Sequence, residues 1–219
     1  MTYILNIETA TKNCSVSLAK DGKTILTKEI AEQGYSHAEK LHVFMEEILN
    51  ETGISARDLK AITVSKGPGS YTGLRIGVSS AKGLCYALGI PLISVSTLQV
   101  LAKQVVIENG FIVPMIDARR MEVYSAIFDK NHQNIKEVQA EVLTDNSYAE
   151  FDDPIYFIGD CQEKCHTVLT KPNFIFLPEI VFPSSKEMSQ LSFEKFTNND
   201  FEDVAYFEPF YLKDFLMSK

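Results

Sequence analysis

Five glycines fall within SKGPGSYTGLRIGVSSAKGL, residues 65–84, ahead of and inside a run that reads as a helix. A glycine loop between a strand and a helix can cradle an anion, because its free amides and the helix dipole point the same way. The spacing Gly67-x-Gly69-x-x-x-Gly73 matches neither G-x-G-x-x-G nor the Walker loop, whose last glycine is followed by lysine. Candidate anion or nucleotide contacts are Glu8, Gly67, Gly69, Ser70 and Arg75. The small residues behind the loop (Gly73, Gly77, Ser80, Ala81, Gly83, Ala87) allow a second backbone to approach closely. Each glycine there costs about 1 kcal/mol against alanine. That backbone belongs either to the chain's own core or to another protein.

Other chemistry is thinner. Glu8 and Asp117 close the first strand of each half, as a carboxylate pair for acid–base work or as solvated strand ends. Cys161, Cys165 and His166 sit together in DCQEKCH, but a metal site wants a second ligand cluster, so a helix start with incidental cysteines competes. His37 and His42 are five apart and diverge on a helix, unlike a chelating i, i+4 pair. Ser70 has no recognisable triad histidine among His37, His42, His132 and His166. No catalytic residue and no metal ligand set is assigned.

The elements that must position these groups read most clearly in the first half. YILNIETA is a strand, and CSVSLAKDGKTILTKEI is a hairpin turning at Asp21-Gly22. A helix follows, with a Ser36/Glu39 capping box, an apolar stripe of Leu41, Phe44, Met45, Ile48 and Leu49, and Gly53 just past its end. LKAITVS is a strand after a capped turn at Arg57-Asp58. The glycine loop leads into a helix over 71–88 closed by Gly89, then strand IPLISVS and helix TLQVLAKQVVIENG. The order β-β-β-α-β-α-β-α makes an α/β fold, a mixed sheet with helices laid on it. Further on, FIVPMIDA, MEVYSAIFD, IKEVQAEVL and PIYFIGD read as strands and 161–169 as a helix, whereas 171–203 is aromatic and weakly periodic. Two subdomains are expected, 1–104 and 105–219.

The composition is that of a globular protein, 45% hydrophobic and 23% charged. No apolar run approaches the ~20 residues of a membrane span. MTYILNIETA lacks the basic start and cleavage site of a secretion signal, so a cytoplasmic location is expected. Four cysteines make no disulfide framework, and Cys85 reads as a small buried thiol. The net charge is −8 with lysine and arginine scattered, so any dealing with RNA is expected to be indirect.

YILNIETATKNCSVSL, SKGPGSYTGLRIGVSSAKGL with IPLISVSTLQVL, and IDARRMEVYSAIF together resemble the bacterial TsaB (YeaZ) family, and the terminal EPFYL looks like that family's ending. The resemblance implies the actin-like ASKHA (ribonuclease H-like) fold, with two subdomains. It further implies a role in tRNA threonylcarbamoylation beside the catalytic paralogue TsaD and the ATPase TsaE, with no chemistry of its own. ATP is then used by the complex, and a metal is expected only in TsaD. Where TsaD carries its V-N-H-L-E-x-H metal motif, this chain reads VSTLQVL, with Thr97 and Leu101 at the histidine positions. Where many members read D-T-S, it has Glu8-Thr9-Ala10, which weakens the case for phosphates there. The family pairs the two helices flanking the glycine strand with TsaD, and isolated members close a homodimer over the same surface. Carried over, the partner residues are Leu41, Phe44, Met45, Ile48, Leu74, Gly77, Val78, Ala81, Leu84 and Leu88. A bulky residue at Gly77 or Ala81 is then expected to block the heterodimer and leave the monomer folded. A glycoprotease-like hydrolase and a stand-alone nucleotide-binding enzyme are the competing readings.

Overall fold

The computed structural model describes residues 1–31 and 37–213; the expected cap at Ser36 lies outside them. It contains two compact units, Met1–Thr97 with Pro183–Lys219, and Leu98–Phe182. The chain thus returns to its first unit, which a single division after residue 104 does not provide.

In the first unit, β1 (Tyr3–Glu8), β2 (Cys14–Lys20) and β3 (Lys23–Ile30) form an antiparallel meander. Asp21 and Gly22 turn β2 into β3 at φ 49° and 80°, the left-handed pair a tight hairpin needs. Helix α1 (His37–Thr52) precedes β4 (Leu59–Ser65), with a capping box at Ser55 and Asp58 between them. Helix α2 (Tyr71–Leu88) starts at Ser70, whose hydroxyl accepts from the Gly73 amide, and stops at Gly89 at φ 64°. With β5 (Leu92–Val95) the sheet order is β3-β2-β1-β4-β5, and β1, β4 and β5 run parallel.

Alternation along the strands gives this sheet two unlike faces. Leu5, Ile7, Val16, Leu18, Ile62 and Val64 pack against Leu41, Met45 and Ile48 of α1 and Val78, Ala81 and Cys85 of α2. The opposite face carries Asn6, Glu8, Ser15, Ser17, Thr63 and Ser65, all buried. Residues 185–197 close over it, ending in α5 (Met188–Thr197). Ser17 donates to the Ser185 carbonyl at 2.8 Å, and the Asn6 amide reaches Ser17 and Ser189 at 3.2 and 3.4 Å. The buried side of α5 is Met188, Ser189, Leu191 and Ser192. Half of that stripe is serine, so hydrophobic periodicity does not announce this helix.

The second unit opens with most of α3 (Thr97–Ala102) and adds β6 (Phe111–Asp117), β7 (Glu122–Asp129), β8 (Asn134–Val142), β9 (Ile155–Gly159) and β10 (Phe174–Phe176). Its order, β8-β7-β6-β9-β10, with the same parallel and antiparallel pairings, repeats that of the first sheet without any sequence repeat. Val113, Met115 and Phe157 bury one face with Cys161, Cys165 and Leu169. Ile112, Ile116 and Ile158 bury the other with Leu98, Leu101 and Ala102. The expected helix over 161–169 is regular only as α4 (Gln162–Cys165).

The glycine loop and the helix pair behind it

The glycines make room for the connection between β1 and β2. A Cβ on Gly69 would lie 2.3 Å from the Ala10 carbonyl oxygen, and one on Gly73 would lie 2.1 Å from the Thr9 carbonyl oxygen. Hydrogen bonds fasten the same contact. Ser70 N–H donates to the Ala10 carbonyl at 2.7 Å, and the Thr9 hydroxyl donates to the Gly73 carbonyl at 2.8 Å. The amides of Ser70 and Gly73, which an anion would need, already have partners within the chain. Gly67, at φ 115°, is pressed by the C-terminal segment, where a Cβ would meet the Phe210 carbonyl oxygen at 2.7 Å.

Arg75 is exposed and belongs to that segment's packing. Its guanidinium lies 4.1 Å from the Tyr71 ring centre and donates to the Tyr211 hydroxyl at 3.2 Å. Phe210 N–H donates to the Lys66 carbonyl, and Lys82 reaches the carbonyls of Ala205 and Phe207. Residues 204–211 therefore lie along α2, a contact the EPFYL ending carries and residue patterning alone does not disclose.

Glu8 is fully buried. Oε1 accepts from the Ala10 amide at 2.7 Å, while Oε2 has no partner of good hydrogen-bond geometry. Burial pushes the carboxyl up to about 7, against the pull of hydrogen bonds from the Ala10 amide, the Ser65 hydroxyl and the Thr9 amide. A buried carboxyl beside amides that are already satisfied makes a poor phosphate cradle. Glu8, Gly69 and Ser70 meet at Ala10, whereas Gly67 and Arg75 lie against the C-terminal segment, and each is engaged within the chain. Asp117 is exposed and paired with Lys164. Among the described residues no three His, Cys, Asp or Glu side chains converge as metal ligands.

The residues assigned to a partner interface mostly face inward. Leu41, Met45, Ile48, Leu74, Gly77, Val78 and Ala81 are buried in the chain's own core, and Phe44, Leu84 and Leu88 are half-buried against it. A Cβ on Gly77 would lie 2.3 Å from the Thr9 hydroxyl oxygen, so a bulky residue there disrupts the fold before it tests an interface. Ala81 is fully buried, and the same holds for it. The side of the two helices turned to solvent carries Val43, 43% exposed, and Tyr86, 87% exposed, with Ser79, Gly83 and Ala87 also exposed. A Cβ on Gly83 would meet nothing within 4 Å, so no contact within the chain requires glycine there.

Thr97 and Leu101 complete the picture. The Thr97 hydroxyl is hydrogen-bonded to that of Ser65 at 2.7 Å, and Leu101 is fully buried among apolar side chains. Neither side chain can ligate a metal as histidine does.

A family model described as TsaD, tRNA N6-adenosine threonylcarbamoyltransferase, matches residues 24–208. The chain is 32% identical over 219 residues to the tRNA threonylcarbamoyladenosine biosynthesis protein TsaB of Bacillus subtilis, covering 96% of this chain and 93% of that one. It is 28% identical to the Escherichia coli protein of the same name, covering 96% and 94%. The structure of YeaZ from Pseudomonas aeruginosa superposes with a TM-score of 0.85 at 23% identity, over 97% of this chain and all of that one. The topology is the actin-like ASKHA fold, and the chain belongs to the TsaB family.

Proposed function

We propose that the chain is the non-catalytic scaffold and activator subunit in threonylcarbamoyl transfer to the N6 amine of the adenosine 3′ of the tRNA anticodon. It binds TsaD through the exposed side of α1 and α2 and acts with TsaE. Family membership supports the place in this biosynthesis. The observation that carries the non-catalytic reading is the pair Thr97 and Leu101, one hydrogen-bonded and one in the core, at the stations where the paralogue has its metal-binding histidines. In this reading ATP is used by the complex, and the metal that polarises the carbamoyl carbonyl belongs to TsaD. The net charge of −8 suits a subunit that leaves tRNA contacts to its partners.

Val43 and Tyr86, with Gly83 open between helical turns, supply the apolar anchors and close approach that an interface centre needs. In isolation the same face closes a homodimer. Size-exclusion chromatography with light scattering tests the reading. Mixed with TsaD, the chain leaves its homodimer peak and co-elutes at the mass of a heterodimer. Separate elution at micromolar concentration overturns the binding role.

A further inference from the structure

A second chemical grouping lies in the other unit, beside the Asp117–Lys164 pair. Cys165 Sγ stands 3.5 Å from Met115 Sδ, and Cys161 lies one helical turn before Cys165 in the same buried cluster. Both cysteines are free and buried, and Met115 is 1% exposed. We infer that Cys161, Cys165 and Met115 form a binding site for one cuprous ion, a soft monovalent cation held by two thiolates and a thioether.

The fold brings the three sulfurs together for identifiable reasons. Met115 on β6 pairs with Gly159 at the end of β9, where a Cβ would lie 1.8 Å from the Met115 carbonyl oxygen. Only glycine, here at φ 119°, lets the chain pass so close to Met115 before it turns toward Cys161. One helical turn, closed by Cys165 N–H donating to the Cys161 carbonyl at 3.1 Å, then puts both cysteines on the same side.

Three sulfurs around a central ion at ~2.3 Å would stand about 4 Å apart, close to the separation already present between Cys165 and Met115. The donor set selects the ion. Thiolate and thioether ligands favour Cu(I), whereas a structural zinc site wants four thiolate or imidazole donors. The adjacent His166 does not complete such a set, since it is exposed and stacked on Phe176 with ring centres 3.8 Å apart.

Binding replaces the two thiol protons. Cu⁺ and two thiols give a bis-thiolate centre of charge −1, two protons pass to solvent, and no redox change occurs. Val113, Ile155, Phe157 and Leu169 form an apolar surround.

The test is anaerobic titration of the reduced full chain with Cu(I) against the chelator bicinchoninate, followed by X-ray absorption at the copper edge. The expected result is one ion per chain with three sulfurs at ~2.3 Å. Binding is lost in the double variant Cys161→Ser/Cys165→Ser, which keeps Cys14 and Cys85. In Met115→Leu, a swap that preserves core volume, affinity falls by more than the ~10-fold typical of losing an outer-sphere partner. Undiminished binding by the double variant, or Met115→Leu leaving affinity and sulfur count unchanged, overturns the site. So does reaction with hydrogen peroxide to a Cys161–Cys165 disulfide in a chain that takes up no copper. The outcome is independent of the role proposed in tRNA modification.

Discussion

Gly77 lies against Thr9 so closely that a Cβ on the glycine would sit 2.3 Å from the threonine hydroxyl oxygen. The same hydroxyl donates to the Gly73 carbonyl, and the backbone of Thr9 and Ala10 rests on Gly73 and Gly69. The spacing of these glycines is thus the imprint of one connection, between β1 and β2, lying on the start of α2. The pattern resembles a phosphate loop because both need a backbone with nothing projecting from it.

Gly73→Ala is expected to destabilise the chain by about 1–3 kcal/mol or more, since the methyl meets a backbone oxygen that cannot swing aside. Gly83→Ala is expected to stabilise it by up to about 1 kcal/mol, because the site is open and mid-helical. Urea midpoints at constant slope check both. Equal effects of the two substitutions would contradict the packing role.

Glu8 sets a pH dependence of defined sign. The ordinary value of a glutamate carboxyl is 4.5, and burial raises it to about 7 in the folded chain. Below pH 4.5 both states hold the proton, and above it the unfolded chain releases the proton first. Stability therefore declines from pH 4.5 to 7 and levels off beyond, a loss on the order of 3 kcal/mol from this group. Glu8→Gln removes that titration, so its stability relative to the parent improves between pH 5 and pH 8. Parallel pH profiles for the two proteins would show that Glu8 is not held protonated.

Asn6 joins β1 to β2 through Ser17 and to α5 through Ser189. Asn6→Leu removes the bridge and leaves those hydroxyls facing an apolar group, at a cost of about 1–3 kcal/mol. Denaturation monitored by hydrogen exchange is expected to show residues 185–197 losing protection before α1 does. Uniform loss across the unit would mean that α5 is not held by this polar seam.

Tyr86→Ala is expected to leave the isolated chain folded, since the ring is 87% exposed, and to weaken TsaD binding by about 2 kcal/mol, roughly 30-fold. Gly83→Trp should do the same by occupying the open approach. Calorimetry with TsaD reads both, and unchanged affinity would move the interface elsewhere.

Much of this was legible in the sequence because local rules and burial agree. Asp21-Gly22, Gly53 and Gly89 each adopt the left-handed backbone that marks a turn or a helix end. The stripe Leu41, Met45 and Ile48 faces a core as its period requires. What periodicity could not say is whose core, and those residues pack on their own sheet while Val43 and Tyr86 face outward. Helix α5 escaped because serines bury it against a polar sheet face, and the long helix expected from 161 closes after Cys165. The grouping of Met115 with two cysteines depends on strand register between β6 and β9, which no spacing along the chain encodes.

Omission of the chain from a reconstituted reaction is the most direct test of its role. Synthase, TsaD, TsaE, ATP, threonine, bicarbonate and tRNA are combined with and without it, and modified adenosine is quantified. Multiple turnover only in its presence, retained by Glu8→Gln and lost in Tyr86→Ala, is the expected result. Equal product without the chain would contradict the activator role and point to a substrate of its own.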